Sequence, residues 1–230
     1  MAKKKKPAGN TPQAASKTSK VIVWIVLAIV LLVAALVLIN SYTGSSSDEA
    51  KEINYENQPV LGDENAPVKI VEFGDYKCIH CQNFHDSNFP VIDQELIQTG
   101  KASFYFMNMP IINQQSNEAA HFAEAVYQVL GDDVFWDFHD ALYEEDLNTA
   151  FSEELFMDKL RNIVSTEEAE EVLHVYQEDG AEDAVESDKE TAADLDVEGT
   201  PTIFVNGKLF EGEDMNDLIE MVNKETQGAN

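Results

Sequence analysis

Lys77-Cys78-Ile79-His80-Cys81-Gln82 holds the only two cysteines of this chain, three positions apart. Six residues before the first, Glu72 interrupts an apolar run of Ile70, Val71 and Phe73. Far downstream, Gly199-Thr200-Pro201-Thr202 precedes a second apolar run, Ile203-Phe204-Val205. Two cysteines at this spacing on the first turn of a helix stand close enough to close a disulfide ring. The first meets free backbone N–H groups and the positive end of the helix dipole, an environment that favours an anion. Together the three segments read as a dithiol/disulfide exchange site, with Cys78 the more exposed nucleophile and Cys81 its buried partner.

Other readings of the pair compete with this one. A structural cross-link stabilises by closing a long loop in the unfolded chain, and a four-residue ring closes almost none. A zinc site from Cys78, His80, Cys81 and His85 would draw four ligands from eight consecutive residues, with no second pair elsewhere. Inert buried thiols are the third alternative. The remaining histidines, His121, His139 and His174, carry no spacing argument and read as packing or surface residues, as does His85.

The 230 residues suit a tail, an anchor and one good-sized domain. Residues 1–20 carry six lysines and no acid, a basic tail expected to be cytoplasmic. Val21 to Ile39 is uncharged and almost wholly apolar, about the length that spans a bilayer and longer than a signal-peptide core of roughly 7–15 residues. An uncleaved transmembrane signal anchor over 21–39 is therefore expected, with everything after it on the outer face of the cell membrane. Disulfides form and persist there. A cleaved signal peptide is the alternative. Residues 40–57, polar and containing Gly44-Ser45-Ser46-Ser47, read as a linker.

All 43 acidic residues lie from Asp48 onward, together with only nine of the 15 basic ones, so that part carries a formal charge of −34. Nucleic acid is excluded as a partner on this ground, and anionic lipid is a poor one. Scattered carboxylates could bind Ca²⁺, but no D-x-[DN]-x-[DN]-G loop is present.

Val68 to Phe73 is the first strand, a helix runs from Cys78 to Thr99 with a kink at Pro90, and Ala102 to Met109 is the second strand. Strand, crossover helix and strand imply a parallel pair. From Asn117 to about Leu195 the periodicity is helical: one stripe ends at Gly131 as a C-cap, another holds Phe135, Phe138, Leu142 and Tyr143, and Ser152 and Ser165-Thr166 start further helices. Asn206-Gly207 between Thr202–Val205 and Lys208–Phe210 signals a type I′ hairpin, and Asp214 to Val222 is a closing helix. The expected order is β-α-β, a helical insertion over about 112–196, then β-β-α, the whole domain occupying 58–230.

With Val71-Glu72-Phe73, Cys78-Ile79-His80-Cys81, Phe138-His139-Asp140-Ala141-Leu142 and Gly199-Thr200-Pro201-Thr202 in place, the chain resembles the thioredoxin superfamily. Within it the resemblance is to the DsbA-like thiol:disulfide oxidoreductases, most of all the membrane-anchored Gram-positive BdbD-type proteins, and it covers roughly residues 58–224. It implies an α/β thioredoxin fold with an inserted all-helical subdomain. One departure stands between the cysteines: DsbA-like sites usually have proline after the first, and here it is Ile79.

The resemblance also assigns roles. His80 matches the oxidising type and would stabilise a Cys78 thiolate. Glu72 shares strand parity with Val68 and Ile70, so it should face the core beneath Cys81, where a carboxyl has a raised pKa and can exchange protons with a thiol. The alternative for Glu72 is an exposed place on an edge strand. Lys77 either adds positive potential or is solvated. Pro201 should be cis and face the cysteines, keeping metal from them and exposing the Thr200 backbone for strand-like pairing with a substrate peptide, while Thr200 tunes the site. No cofactor is expected beyond the Cys78–Cys81 disulfide. The implied activity is disulfide introduction into unfolded exported proteins with free thiols, with a quinone-linked, DsbB-like membrane protein as reoxidase. Alternatives are a reductase or isomerase of the same fold, or a non-catalytic metal- or protein-binding module.

Overall fold

The computed structural model describes residues 17–42, 50–212 and 214–228, with side chains from Ile22 to Ala35 in the first stretch and from Ala50 onward. The chain forms two units, residues 1–46 and 47–230. In the first, α1 is a helix over Lys17–Tyr42. Among the described residues no helix is long and apolar enough to cross a membrane. The stretch expected as an anchor, 21–39, extends beyond the described side chains at both ends.

The second unit is built on a five-stranded sheet in the order β1-β3-β2-β4-β5. β2 (Val68–Gly74) is central, parallel to β3 (Ala102–Asn108) and antiparallel to β4 (Thr202–Val205). β5 (Lys208–Leu209) returns from β4 through Asn206-Gly207, whose φ values of 49° and 77° are both positive, as a two-residue type I′ hairpin requires. β1 (Val60–Leu61) pairs antiparallel with β3 at the far edge. At two residues it is too short to show alternation in the sequence.

Between β2 and β3 the expected single helix is three pieces. α2 (Ile79–Ser87) stops at Asn88, α3 (Phe89–Ile92) carries Pro90 in its first turn, and a π-helical turn, Asp93–Ile97, follows. Proline has no N–H to give and its ring crowds the preceding turn, so the break falls just before it. The insertion between β3 and β4 consists of α4 (Gln114–Tyr143), α5 (Glu153–Arg161), α6 (Thr166–Gln177) and α7 (Glu182–Asp194). Gly131 breaks α4 with φ 77° and ψ −170°, backbone angles that only glycine adopts at ease. Ser152 and Ser165 cap α5 and α6 as their sequence implies, Ser165 in a reciprocal box with Glu168. α8 (Met215–Gly228) ends the chain's described part and runs longer than expected.

Strand parity divides the core. Val68, Ile70, Phe104, Phe106, Ile203 and Val205 face one layer with Cys81, Ile92, Leu96, Phe135 and Leu218. Val71, Phe73, Tyr105, Met107 and Phe204 face the other with Ile53, Ala192 and Leu195. Ile53 shows that the expected linker over 40–57 ends early. From Lys51 the chain lies on the domain, its amide bonded to the Gly207 carbonyl and its ammonium to the Leu195 carbonyl. One buried isoleucine among polar residues leaves no periodic signal, which is why the sequence reads as spacer there.

Candidate active site

The register of β2 with its two neighbours places the site. Glu72 stands opposite Phe106 on one side and Ile203 on the other, and Phe73 opposite Thr202. The loop leaving β2 and the turn entering β4 therefore meet at one end of the sheet. Cys78 is the N-cap of α2, with its amide bonded to the Asp75 carbonyl at 3.0 Å. Its Sγ lies 3.4 Å from the Thr200 carbonyl oxygen, and the Thr200–Pro201 bond is cis. Both thiols are free; Cys78 keeps 4% of its surface in solvent and Cys81 none.

Glu72 is buried beneath this pair. Its exposure is 3%, and Oε1 has no hydrogen-bond partner among the described residues. Burial, with a smaller contribution from Cys78, pushes its pKa up to about 8. Gly74 makes room for it: a Cβ there would overlap the Phe106 ring and stand 3.2 Å from Glu72 Oε1. Burial likewise pushes the Cys81 thiol well up, and a charge on Glu72 adds to the rise. The Asp75 backbone and the Thr200 hydroxyl draw it down, although that hydroxyl closes no hydrogen bond with a described residue. Cys81 is thus held as a thiol next to a carboxyl that itself titrates near neutrality, the condition for proton exchange between them.

The structure gathers Cys78, Cys81, Glu72, Thr200 and Pro201 at one point. His80 is exposed on the first turn of α2 and forms no hydrogen bond or ion pair with a described residue. His85 faces away to Asp140 on α4, so the four-ligand zinc set does not assemble. Lys77 is half-buried and is held by the insertion rather than aimed at the sulfur. Its ammonium donates to the Leu147 and Thr149 carbonyls at 2.7 and 2.9 Å and lies 4.1 Å above the Phe151 ring.

Lys77 is one of several ties to the insertion that the sequence did not disclose. The Asp75 carboxylate accepts from the amides of Lys77, Ile111 and Ile112. Gln82 donates to the Tyr143 and Glu145 carbonyls. Tyr76 OH meets His139 Nδ1 at 3.0 Å in the core. The loop and first helical turn that carry the cysteines are therefore pinned to both ends of α4.

A second polar group is buried behind β3. Asp188 accepts from the Asn108 amide at 2.7 Å and from Gln58, and Glu124 accepts from the Asn108 side chain at 2.7 Å. Burial, then the charge of Asp188, pushes Glu124 well above the carboxylate range; burial raises Asp188 to about 6. The Gln58 and Asn108 side-chain oxygens have no partner among the described residues. Two carboxylates and two amide oxygens are the donor chemistry that hard cations such as Ca²⁺ take. The signal for Glu124 was available: it is a lone acid in the apolar stretch Ala119 to Val126, as Glu72 is in β2.

Comparison with known proteins follows the same outline. The thioredoxin family model matches residues 54–224. The probable disulfide bond formation protein D of Bacillus anthracis is 31% identical over 87% of this chain and 94% of its own length. The disulfide bond formation protein D of Bacillus subtilis is 32% identical over 82% of this chain and 86% of its own. Among solved structures, oxidised BdbD from Bacillus subtilis superposes with a TM-score of 0.72 at 32% identity, covering 78% of this chain and 98% of that one. The thiol-disulfide exchange protein alpha-DsbA2 from Wolbachia pipientis gives 0.63 at 30% identity, covering 74% and 87%.

The raised Glu72 carboxyl has a consequence for stability in the dithiol form. The unfolded chain gives up this proton near pH 4.5, while the folded chain keeps it to about 8. Unfolding therefore releases a proton in that window, so the contribution from Glu72 is present below it and is lost as pH rises through it. Glu72→Gln should gain on the parent by the order of a few kcal/mol between pH 4.5 and 8 in urea titrations of the reduced protein. Parallel stability curves would show that Glu72 does not hold its proton in the fold.

Proposed function

Since the chain belongs to the thioredoxin family, among the DsbA-like thiol:disulfide oxidoreductases of the disulfide bond formation protein D kind, we propose that it works outside the cell membrane as a disulfide donor to exported proteins. The observation that carries this reading is Cys78 at the start of α2, beside the Thr200 carbonyl, with the dry Glu72 carboxyl behind Cys81. A substrate thiolate attacks Cys78 Sγ of the disulfide, and Cys81 leaves as a thiolate. The protonated Glu72 supplies a proton to that sulfur, whose buried position favours the thiol. A second substrate thiolate then attacks the substrate sulfur of the mixed disulfide and releases Cys78. Two electrons have passed from substrate to enzyme, and the substrate keeps the new disulfide.

Backbone N–H groups at the head of α2 favour the departing Cys78 anion, and His80, exposed beside it, adds its dipole or charge when substrate covers the site. The Thr200 backbone next to Pro201 pairs with the substrate peptide in strand fashion. The redox centre is the cysteine pair, with no other cofactor. Reoxidation reverses the path: Cys78 attacks a disulfide of a quinone-linked, DsbB-like membrane partner, Glu72 accepts the Cys81 proton, and Cys81 closes the ring.

The outer location rests on the six lysines followed by an uncharged stretch over 21–39. The names of the Bacillus relatives, which speak of disulfide bond formation, support the oxidising direction. The chain should sediment with membranes, resist extraction by carbonate, and lose its cysteine-bearing domain when protoplasts are treated with protease. Recovery of that domain in the medium, or its protection from protease, would contradict the anchored topology.

Glu72→Gln should leave the fold intact and slow closure of the mixed disulfide by Cys81. One positioned base contributes typically about 10²–10⁴-fold. Stopped-flow decay of a Cys78–peptide mixed disulfide across pH reads this directly, and an unchanged rate and pH profile would remove Glu72 from the mechanism.

A further inference from the structure

The last turns of α2 and α4 bring together two imidazoles and a carboxylate that the redox reaction does not use. His85, His139 and Asp140 each offer one ligand atom, and the three atoms lie within 4.8 Å of one another. His85 Nε2 is 2.9 Å from Asp140 Oδ1. The other nitrogen of each imidazole has an outer neighbour. His139 Nδ1 shares a 3.0 Å hydrogen bond with Tyr76 OH, and His85 Nδ1 stands 3.5 Å from Asp86 Oδ1. His139 is held as metal-binding imidazoles are, one nitrogen free for the ion and the other oriented by a second group, while His85 Nδ1 forms no hydrogen bond with a described residue.

The surroundings fit the same reading. His139 is 2% exposed, whereas the side chains of His85 and Asp140 are 14% and 51% exposed, so the cluster runs from a dry inner end to an open outer one. Phe89 and Tyr143 stack on the two sides of His85, and Phe106 and Trp136 pack on His139. Both helices present their C-terminal ends, where a cation is favoured. Neither cysteine belongs to the cluster.

We propose that His85, His139 and Asp140 form a binding site for one divalent cation of the zinc class, with water completing its shell on the Asp140 side. Two imidazoles and one carboxylate suit zinc and its neighbours, whereas Ca²⁺ and Mg²⁺ prefer oxygen alone. Zinc–ligand bonds of about 2.0–2.2 Å set the atoms of a tetrahedron roughly 3.3 Å apart. His85 and Asp140 then part slightly and His139 draws in. The bound ion ties the helix that carries Cys81 to the insertion.

The test uses the full chain in detergent, in its disulfide form so that the thiols cannot ligate, with excess Ca²⁺ to fill oxygen-only sites such as that around Asp188. Calorimetric titration with ZnCl₂ should show one ion per chain, and zinc should raise the melting temperature by binding the folded state. Asp140→Asn, at a half-exposed position, and His85→Ala should each weaken binding by at least about tenfold and abolish the rise in melting temperature. Tyr76→Phe, which removes an outer partner, should cost about 10–100-fold. Melting curves without zinc establish that each variant is folded. Absence of binding to the parent, or affinity unchanged in Asp140→Asn, would overturn the site and assign any zinc uptake to scattered surface carboxylates.

Discussion

The pairing of β2 with β3 on one side and β4 on the other is the constraint from which the site follows. β2 contributes the carboxyl at Glu72 and, just beyond its end, the cysteines. β4 contributes Thr200 and Pro201 just before its start. Because the two strands run antiparallel with Phe73 opposite Thr202, those ends coincide. A slip of one residue would turn every side chain to the other face, taking Glu72 out of the layer that holds Cys81. The apolar partners of that face, Val68, Ile70, Phe104 and Phe106, hold the register.

Burial then makes the two sulfurs unequal. Cys78 stands at a helix head with a carbonyl beside it and some access to solvent, while Cys81 is sealed against a carboxyl that keeps its proton to about pH 8. Cys81 and Glu72 are both buried, so on the proposed mechanism the proton that comes and goes with Cys81 has an acceptor built into the strand. The insertion does more than cover the sheet. Asp75, Tyr76, Lys77 and Gln82 all reach to it, so the position of Cys78 depends on residues as distant in the chain as Ile112 and Thr149.

Much of this was legible in the residues. The apolar runs of β2 and β3, the Asn-Gly hairpin and the serine caps are local chemistry, and each appears where the sequence implies it. The buried acid was readable from its inward parity together with the family resemblance, since parity alone left open an exposed place on an edge strand. What escaped was non-local. Lys77 looked like a solvated lysine or a charge for the sulfur, because nothing in its neighbourhood announces carbonyls seventy residues away. Tyr76 and His139 look like ordinary core residues until α4 brings them together. β1 and the Lys51–Ile53 stretch are too short for periodicity to register.

The direction of electron flow is the central claim, and the equilibrium of the full chain with reduced and oxidised glutathione measures it most directly. On the proposed reading the disulfide is the oxidant, with Cys78 at the helix head as the group that leaves reduced. The reduction potential of the Cys78–Cys81 pair should fall near about −120 mV, the range of strong disulfide donors. A value near about −270 mV, the range of cytosolic reductants, would contradict it.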